Sequence, residues 1–451
     1  MTPLIITTPR APPTIFSNRD ELRDYYDNTL DTDPDLTQTS NDKSTPLGCV
    51  EEIIKTIPQH IFENPSLKWL DGCCGSGNWF VPVFWELVQY HSPDHILTKM
   101  LFFNDINRER LQIVRHVFCA NQYQLNISNS DFLEDISGER SNEQSSDTSG
   151  TQPCEQYDII LANPPFARLA DDNTRTAKNH NLIGPFLKQS LLRLRPSGHL
   201  IYLTPNNWLS LSDRNTLIRL LTSLQIVHLD LNSAKKYFKK IGSSFTYYCI
   251  ENVPHYKPMI VAGIHRGIPY SNRVVSGERD YIPLYYTDLI RSILLKTVDS
   301  TAPKFAVETS SDLHKYTRRD IIRPEQSPEF PNRLHHTGAQ TVYASRPHKY
   351  QLGWKVFIVL TSYYKVFADL DAGMTQSIAF IRCDDEETAL MYEKILQHPL
   401  YRFINNICRW GNFNNIRLLQ RFPVHLDPTT IYSHFEITND EIALIEREVP
   451  A

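Results

Sequence analysis

The sequence predicts an α/β fold in which a doubly wound, mostly parallel sheet is followed by a mixed α+β domain. Between residues 44 and 254, short apolar runs alternate with segments of helical periodicity, which is typical of strands joined by crossover helices. After residue 254 this alternation stops, and Tyr, His, Arg and Pro are mixed with short strand-like runs. We therefore predict an N-terminal extension over 1–43, a first domain over 44–254 and a second domain over 255–451.

The elements of the first domain follow from its periodicity. A helix is expected from about Leu47, where apolar Val50, Ile53 and Ile57 recur at helical spacing. Further helices are expected over 109–120 and 185–194, and a last strand, "SSFTYYCIEN", closes the sheet near Val253. The other predicted strands lie in "LKWLDG", "KMLFFND", "YQLNISNSD", "YDIILANPP", "GHLIYLTPN" and "LQIVHLDL".

Other segments complete the predicted organisation. Residues 1–43 are rich in Pro, Thr, Asp and Asn and are expected to be partly disordered or loosely docked. Residues 137–156 are Ser-rich and without periodicity, which indicates a disordered surface loop between two strands. In the second domain, helices are expected over 386–397, with Asp384 or Asp385 as the N-cap, and over 399–409.

Composition restricts the class of protein. The chain has 451 residues, of which 41% are hydrophobic and 22% charged, within the globular range. No apolar run reaches the roughly 18 residues that span a bilayer, and the N-terminus does not have the pattern of a signal peptide. The eight cysteines include no C-x-x-C pair, so neither a disulfide framework nor a metal site is expected. A reducing, cytoplasmic location is expected instead.

The charge is unevenly distributed. The whole chain has a formal net charge of -5, but residues 255–421 carry 22 basic and 16 acidic side chains. An excess of this size is also common on ordinary surfaces. This excess of positive charge nevertheless favours the binding of a polyanion by the second domain.

Three predicted strands end in residues that suit a nucleotide-like cofactor. After the first strand, Gly75 and Gly77 of "WLDGCCGSGNWF" would let the backbone approach a ligand closely. Asp105, at the end of the next strand, is suited to accept hydrogen bonds from ribose hydroxyls. After the third strand, Asp131 could accept from an adenine amino group, and Phe132 could pack beside the ring.

A fourth strand ends in Asn163, Pro164, Pro165 and Phe166. Proline donates no backbone hydrogen bond and fixes its own φ, so this tetrapeptide leaves the strand on a stiff, extended backbone. Alone it is consistent with an ordinary strand exit. In order after the glycine loop, Asp105 and Asp131, it indicates a site that holds an amide, a carbonyl and a ring in fixed positions.

These motifs, in this order, resemble the S-adenosylmethionine-dependent amino-methyltransferases that act on DNA bases. The order resembles their γ group, which includes restriction-modification N6-adenine methyltransferases. The resemblance covers roughly residues 44–253 and extends more thinly to "DAGMTQSIAFI" and "RWGNFNNIRLLQRFPV" in the second domain. It rests on "STP" at residues 44–46, "LDGCCGSGNWF", "FFNDIN", "SDF" and "NPPF". One departure is Gly72, where the family often has proline.

The resemblance implies methyl transfer from S-adenosylmethionine to the N6 amino group of an adenine flipped out of a specific double-stranded DNA sequence. Asn163 and the Pro164 carbonyl would accept the amino hydrogens, and Phe166 would stack on the base. Phe238 is the expected second aromatic, with Phe245 as the rival. The expected catalytic residues are Asn163, Pro164, Pro165, Phe166 and Phe238. The expected cofactor-binding residues are Thr45, Asp71, Cys73, Gly75, Gly77, Asp105, Ile106, Asp131, Phe132 and Asn163.

Alternatives stay open at this point. Asp71, Asp105 and Thr45 could each be a helix N-cap, and Phe238 could be core. N4-cytosine, adenine in RNA and protein glutamine are alternative substrates, and a DNA-binding module without activity is a third class. The expected partners are double-stranded DNA and a cognate restriction endonuclease, with a monomer or weak dimer near the nucleoid. Candidate DNA contacts are Arg346, His348, Lys349, Lys355, Arg409, Asn412, Asn414 and Arg417.

Overall fold

The structure is a computed structural model. It describes residues 12–30, 44–134, 155–166, 181–213, 215–238, 242, 244–275, 277–315, 320–338, 340–361 and 363–449. The chain forms two compact units. The first comprises residues 1–206, 220–271 and 275–278, and the second comprises residues 207–219, 272–274 and 279–451.

A nine-stranded sheet dominates the first part of the chain, as the α/β prediction requires. Its order is β3-β2-β1-β4-β5-β7-β6-β8-β9. The strands from β3 to β5 run parallel, whereas β7 is antiparallel to both β5 and β6. The bounds are β1 (Trp69–Asp71), β2 (Leu101–Asn104), β3 (Asn126–Ser128), β4 (Tyr157–Ala162), β5 (Leu194–Pro205), β6 (Leu224–Asp230), β7 (Phe245–Pro254), β8 (Met259–His265) and β9 (Ile268–Val274).

The sheet does not end near Val253, so that prediction was wrong. β8 pairs in parallel with β6, and β9 follows after a turn at Arg266 and Gly267. Both turn residues have positive φ, of 50° and 81°, which is the conformation of the tight hairpin turns that match strand twist. β8 has a continuous apolar run from Met259 to Ile264, whose residues alternate between buried and half-buried, whereas β9 is half-buried or exposed except at Val274. β9 therefore lacks the continuous apolar run by which the central strands were identified.

Helices pack beside this sheet and confirm the predicted alternation. α2 begins at Leu47 as expected, and the two helices predicted over 109–120 and 185–194 are α6 and α7. α6 is capped by Asn107, whose side chain accepts from the backbone N–H groups of Glu109 and Arg110. The bounds before residue 254 are α1 (Arg19–Asp24), α2 (Leu47–Ile54), α3 (Gln59–Glu63), α4 (Phe80–Leu87), α5 (Pro93–His95), α6 (Arg108–Val117), α7 (Ile183–Arg193) and α8 (Thr216–Ser223), with π-helices at Tyr25–Thr29 and Ile96–Met100 and 3-10 helices at Asn206–Leu209 and Ser233–Tyr237.

Residues 12–30 are well packed, so the expectation of a loosely docked segment does not hold for them. Leu22, Tyr26 and Leu30 are buried in the core of the first unit. They recur every four residues, which places them on one helical face within a polar sequence. The low overall hydrophobicity of the extension hid this stripe. Residues 1–11, 31–43 and 135–154, the last of which include most of the predicted 137–156 loop, lie outside the described residues.

The second unit has the mixed α+β character predicted from sequence. It contains two four-stranded sheets, ordered β10-β17-β14-β15 and β11-β13-β12-β16. The predicted helices over 386–397 and 399–409 are α10 and α11, and Asp385 caps α10 by accepting from the Thr388 N–H at 2.8 Å. The bounds are β10 (Glu308–Thr309), β11 (Ile322–Arg323), β12 (Asn332–His335), β13 (Thr341–Ala344), β14 (Trp354–Val359), β15 (Val366–Leu370), β16 (Gly373–Met374) and β17 (Ile378–Arg382), with α9 (Asp288–Lys296), α10 (Glu386–Leu396), α11 (Pro399–Ile407), α12 (Ile416–Leu419), α13 (Ile431–His434) and α14 (Asn439–Glu448).

Within the ranges that the structure describes, none of the helices combines the length and apolar character that crossing a bilayer requires.

Candidate active site

The strand order of the first unit identifies one edge of the sheet as a ligand site. β1 and β4 are parallel neighbours, and from this pair the connections run outward in opposite directions, to β2 and β3 on one side and to β5 on the other. In open α/β sheets, ligands bind outside the carboxyl ends of the strands at such a switch point. Asp71 ends β1 and Asn163 directly follows β4. The two predicted residues therefore lie at the same edge.

Asp71 is a buried acid with an unused acceptor. Its side chain has no solvent exposure. One carboxylate oxygen, Oδ1, accepts from the Cys73 N–H at 3.2 Å, while Oδ2 has no hydrogen-bond partner among the described residues. Burial raises the pKa of Asp71 well above its ordinary value, the Cys73 N–H opposes this, and the nearby Asp105 charge adds to it. A bound cation would satisfy Oδ2 and favour the carboxylate.

The glycine loop is fastened to the end of β2. The Gly75 N–H donates to Asp105 Oδ2 at 2.7 Å. Gly75 and Gly77 have φ of 53° and 90°, in the left-handed region that favours glycine. A Cβ on Gly77 would also lie 2.8 Å from Phe118 Cε2. Glycine is therefore required at these two positions by the backbone and, at Gly77, by the packing as well.

Both carboxylate oxygens of Asp105 accept hydrogen bonds from backbone N–H groups, one of them in the glycine loop. Its second oxygen, Oδ1, accepts from the Asn107 N–H at 2.8 Å. Because each carboxylate oxygen can accept more than one hydrogen bond, these contacts leave capacity for a ligand hydroxyl. The next side chain, Ile106, is 69% exposed despite being apolar. Such a side chain is suited to pack against the ring of a ligand.

Phe132 occupies a defined aromatic position. Its ring stacks on that of Phe186 with centroids 5.4 Å apart, and the Arg193 guanidinium lies 4.1 Å from its centroid. A Cβ on Gly72 would lie 2.5 Å from Phe132 Cε2. Gly72 thus allows the Phe132 ring to approach β1, which explains the departure from proline. Asp131 accepts from a backbone N–H two residues further on, and sequence patterns gave no indication of Phe186 or Arg193.

Asn163 is tied to two of the other motifs. Its Nδ2 donates to Thr45 Oγ1 at 3.1 Å, and its backbone carbonyl accepts a weak hydrogen bond from Cys73 Sγ at 3.7 Å. Thr45 is itself buried, and its carbonyl accepts from Asn78 Nδ2 at 3.1 Å. Since the amide nitrogen is directed at Thr45, the amide oxygen is the atom of this side chain that a substrate amine would use. Asn78 had not been identified from sequence.

The three helix-cap alternatives are not realised. α2 has Pro46 as its N-cap, without a side-chain cap bond, so Thr45 does not cap it. α6 is capped by Asn107 rather than by Asp105. Asp71 accepts from Cys73 in the loop, seven residues before the next helix begins at Phe80. A role in helix capping therefore does not account for any of the three residues.

The aromatic residues form one cluster. Phe166 and Phe245 have centroids 5.8 Å apart, and Phe245 and Phe238 have centroids 4.5 Å apart. Phe238 and Phe245 are buried, whereas Phe166 is partly exposed. Phe245 therefore contacts the tetrapeptide directly, and Phe238 lies one ring further away. The role expected for Phe238 stays a prediction.

Glu52, on α2, anchors the segment that leads to Phe238. It forms an ion pair with Lys236 at 2.5 Å and accepts from the hydroxyls of Tyr237 and Tyr247 at 2.9 and 3.3 Å. Burial alone would raise the pKa of Glu52, but these three partners outweigh it and lower that pKa. Because Glu52 is 185 residues from Tyr237 in the chain, sequence spacing gave no sign of this contact.

In the second unit, three of the eight candidate DNA contacts are buried. His348, Lys355 and Asn414 are 2%, 1% and 3% exposed. Lys355 Nζ donates to the carbonyls of residues 351, 352 and 353, and His348 Nε2 lies 2.9 Å from Ser310 Oγ. These side chains support the fold of the unit, so they were wrong choices for DNA contacts.

The other five candidates are not buried. Arg346 forms an ion pair with Asp312, and Arg417 forms one with Asp213. Lys349 and Asn412 are exposed, and Arg409 donates to the Asn412 carbonyl. No group of three or more His, Cys, Asp or Glu side chains suited to a metal ion occurs in the described part of the chain.

The comparisons with known proteins concern part of the chain and its fold. Residues 99–238 match the Eco57I restriction-modification methylase family. The matched segment includes Asp105, Asp131, the tetrapeptide from Asn163 to Phe166, and Phe238. No curated protein sequence matches the chain.

Two solved structures share the fold. The DrdV–DNA complex, determined by cryo-electron microscopy, is 11% identical with a TM-score of 0.53 and covers 96% of this chain and 60% of DrdV. MmeI, a type IIL restriction-modification enzyme determined in complex with DNA, is 10% identical with a TM-score of 0.50 and covers 82% of this chain and 64% of MmeI. This chain therefore spans about three fifths of the length of these two proteins.

Proposed function

We propose that the chain transfers the methyl group of S-adenosylmethionine to the N6 amino group of an adenine flipped out of a specific sequence in double-stranded DNA. The observation that carries this proposal is Asn163, fixed by Thr45 and Cys73 at the carboxyl end of β4 beside the buried Asp71. The match of residues 99–238 to a restriction-modification methylase family supports DNA as the substrate. A cognate restriction endonuclease stays a predicted functional partner.

The residues present fit the cofactor. S-adenosylmethionine supplies an electrophilic methyl group on a sulfonium, together with an ammonium, a ribose and an adenine. Asp71 Oδ2, buried and lacking a hydrogen-bond partner among the described residues, suits the ammonium because a buried acceptor is costly unless it is paired. Asp105 would bind the ribose hydroxyls, and Asp131 with Ile106 and Phe132 would hold the adenine.

The tetrapeptide supplies acceptors for the target amine. The lone pair of an exocyclic amine is delocalised into the base, so the amine is a poor nucleophile. Asn163 Oδ1 and the Pro164 carbonyl would accept its two hydrogens and favour a more pyramidal nitrogen. A carbon–nitrogen bond then forms as the carbon–sulfur bond breaks, the electron pair of that bond stays on the sulfur of the S-adenosylhomocysteine product, and one amine proton passes to solvent. Fixed acceptors and alignment provide the acceleration.

The aromatic cluster would hold the flipped base. A base within a duplex cannot reach a site at the end of β4, so it must rotate out of the stack. Phe166, the partly exposed member of the cluster, would stack on the base. The Phe245 ring packs against the Phe166 ring, and Phe238 is the expected second aromatic. Pro165, which has no N–H, keeps the tetrapeptide extended.

The test compares the protein with an Asn163→Ala variant. Each is incubated with S-adenosylmethionine and mixed-sequence duplex DNA, which is then digested to nucleosides for mass spectrometry. We expect N6-methyldeoxyadenosine from the wild type and at least about 100-fold less from the variant, with cofactor affinity by calorimetry within about threefold of the wild type. Asn121→Ala, which removes an exposed asparagine, is the matched control and should retain activity.

Other outcomes would redirect the proposal. N4-methyldeoxycytidine would keep the chemistry but change the target base. Cofactor binding without any modified deoxynucleoside would contradict the DNA proposal, and parallel incubations with RNA and with a glutamine-containing protein would then be compared. Absence of cofactor binding would contradict the proposed enzymatic activity and favour a DNA-binding module without activity.

A further inference from the structure

A loop of the second unit presents an exposed aromatic ring. Phe413, in the 409–415 loop after α11, is 64% exposed. The loop has a defined backbone, because Gly411 has a φ of 93° and Arg409 Nη2 donates to the Asn412 carbonyl at 2.8 Å. A single exposed apolar ring is common on protein surfaces, so the groups around it decide what it indicates.

The residues that follow Phe413 fix the loop to the unit. Phe413 itself forms a β-bridge with Thr361. Asn414 is buried; its N–H donates to the Leu360 carbonyl and its side chain to the Val359 carbonyl, each at 2.7 Å. Asn415 caps α12 through its side chain. The position of the ring is therefore determined by buried hydrogen bonds, which makes the 409–415 loop a preorganised contact.

Cationic side chains lie along the same part of the chain. Two residues beyond Thr361, Tyr363 is 87% exposed. Lys365 and Arg402 line a surface depression of about 280 Å³, which is also lined by Tyr364, the residue that follows Tyr363. In the described part of the chain, neither they nor Arg409 forms an ion pair with a carboxylate, whereas the nearby Arg417 pairs with Asp213. Arg409 also has a buried Nε without a hydrogen-bond partner among the described residues.

We propose that the 409–415 loop is a contact for duplex DNA, with the Phe413 ring packed against a base or sugar and the Arg409 guanidinium against a phosphate. This inference rests on the proposed function. Exposed aromatic rings stack on or wedge between bases, and arginine suits phosphate because its planar donors match the oxygens. Arg409, in the same loop as Phe413 and without a carboxylate partner among the described residues, favours a polyanion over a neutral apolar partner.

The contributions of Phe413 and Arg409 can be distinguished by how DNA affinity depends on salt concentration. Binding is measured by fluorescence anisotropy with a labelled duplex that carries the site methylated by the wild type, over a series of salt concentrations. Phe413→Ala should weaken binding by about 5- to 150-fold at every salt concentration without changing the slope of log K against log salt. Arg409→Gln should make that slope shallower by about 0.9, the value for one lost phosphate contact.

Control variants separate a contact from damage to the fold. Leu390→Ala removes an apolar side chain that is 52% exposed on α10 and should leave affinity unchanged. Phe413→Trp should retain binding, since indole also stacks. The Phe413 variants should unfold at the wild-type temperature, because Phe413 is exposed and the Asn414 hydrogen bonds remain. Arg409→Gln also removes the hydrogen bond to the Asn412 carbonyl, so the salt slope and not the affinity alone is its readout.

Equal losses for Phe413→Ala and Leu390→Ala, or wild-type affinity for Phe413→Ala, would overturn the DNA contact. A change in sedimentation with unchanged DNA affinity would also overturn it and assign the loop to a protein interface. The result is separable from the proposed function: if the wild type methylates no DNA, that function fails, and the same variants are compared on a mixed-sequence duplex to decide whether this loop binds DNA.

Discussion

Asp71 in the first unit and Lys355 with His348 in the second are buried polar side chains that are used in opposite ways. In the first unit, Asp71 is fully buried, yet one of its oxygens has no partner among the described residues. In the second unit, buried Lys355 directs its ammonium at three carbonyls, and both ring nitrogens of His348 are engaged, by Ser310 and by the Tyr350 N–H. The polar groups of Lys355 and His348 are thus satisfied within the fold.

This contrast separates a binding site from a scaffold. A buried polar group that finds its partners within its own unit stabilises the structure, and its removal leaves those partners unsatisfied. A buried acid with an unused oxygen at a strand end costs free energy of folding unless a ligand pairs with it. Substitutions should therefore affect stability at Lys355 and His348 and ligand affinity at Asp71.

The largest effect is expected from Lys355→Met. The substitution keeps an apolar stem of similar size but leaves the carbonyls of residues 351, 352 and 353 without the ammonium. We expect a loss of about 2–4 kcal/mol in the free energy of unfolding, measured by urea denaturation. Lys349→Met, at an exposed lysine nearby, should change it by less than about 0.5 kcal/mol. Equal, small effects would show that Lys355 does not have the scaffold role.

Asp71→Asn should have a smaller effect than Lys355→Met, and it should change the free energy of cofactor binding and not that of folding. The amide can still accept from the Cys73 N–H but cannot pair with a cation, so S-adenosylmethionine affinity by calorimetry should fall about 100-fold. The thermal unfolding temperature without cofactor should stay the same or rise. The reason is that burial raises the pKa of Asp71, so the ionised acid disfavours folding above its ordinary pKa.

A matched control for this variant is Asp94→Asn, which alters an exposed acid and should keep full cofactor affinity. If Asp71→Asn lost stability but kept normal affinity for S-adenosylmethionine, the assignment of Asp71 to the cofactor site would be wrong. Asp71 would then belong with Lys355 as a residue of the scaffold.

The smallest effect concerns pH. Burial lowers the pKa of His348 to about 4, with Lys349, Arg346 and Lys355 acting in the same direction and Asp312 opposing. A base with a depressed pKa contributes stability that is present above its unfolded pKa and is lost as the pH falls toward the folded value. Between pH 7 and pH 5, His348 should therefore account for a loss of about 2 kcal/mol. In His348→Gln that part of the pH dependence should disappear.

The measurement is urea unfolding at the two pH values, and the readout is the difference between them. His255→Gln, at an exposed histidine, should show the same pH difference as the wild type. If His348→Gln shows it too, His348 is not responsible for the loss.

Several parts of the fold could be predicted because their signals are local. The strand from Tyr157 to Ala162 and the helix beginning at Leu47 have the expected bounds to within a few residues. β9 was missed because it is a mostly exposed edge strand, and residues 12–30 because their apolar stripe lies within a polar composition. β8 has an apolar run but lies after residue 254, within the predicted second domain. For residues 12–30 the decisive contacts come from a distant part of the chain, such as the hydrogen bond from the Tyr26 hydroxyl to the Ser76 carbonyl.

Local sequence sets which residues stand at the strand ends and in which order, because strand-to-loop transitions and glycine and proline conformations depend on neighbouring residues. Long-range packing sets the contacts among them: Asn163 donates to Thr45, Gly72 admits the Phe132 ring, and Glu52 holds the segment before Phe238. The same packing buries Lys355 and leaves Phe413 exposed. Burial and long-range pairing depend on how separate segments pack, which no spacing along the chain encodes.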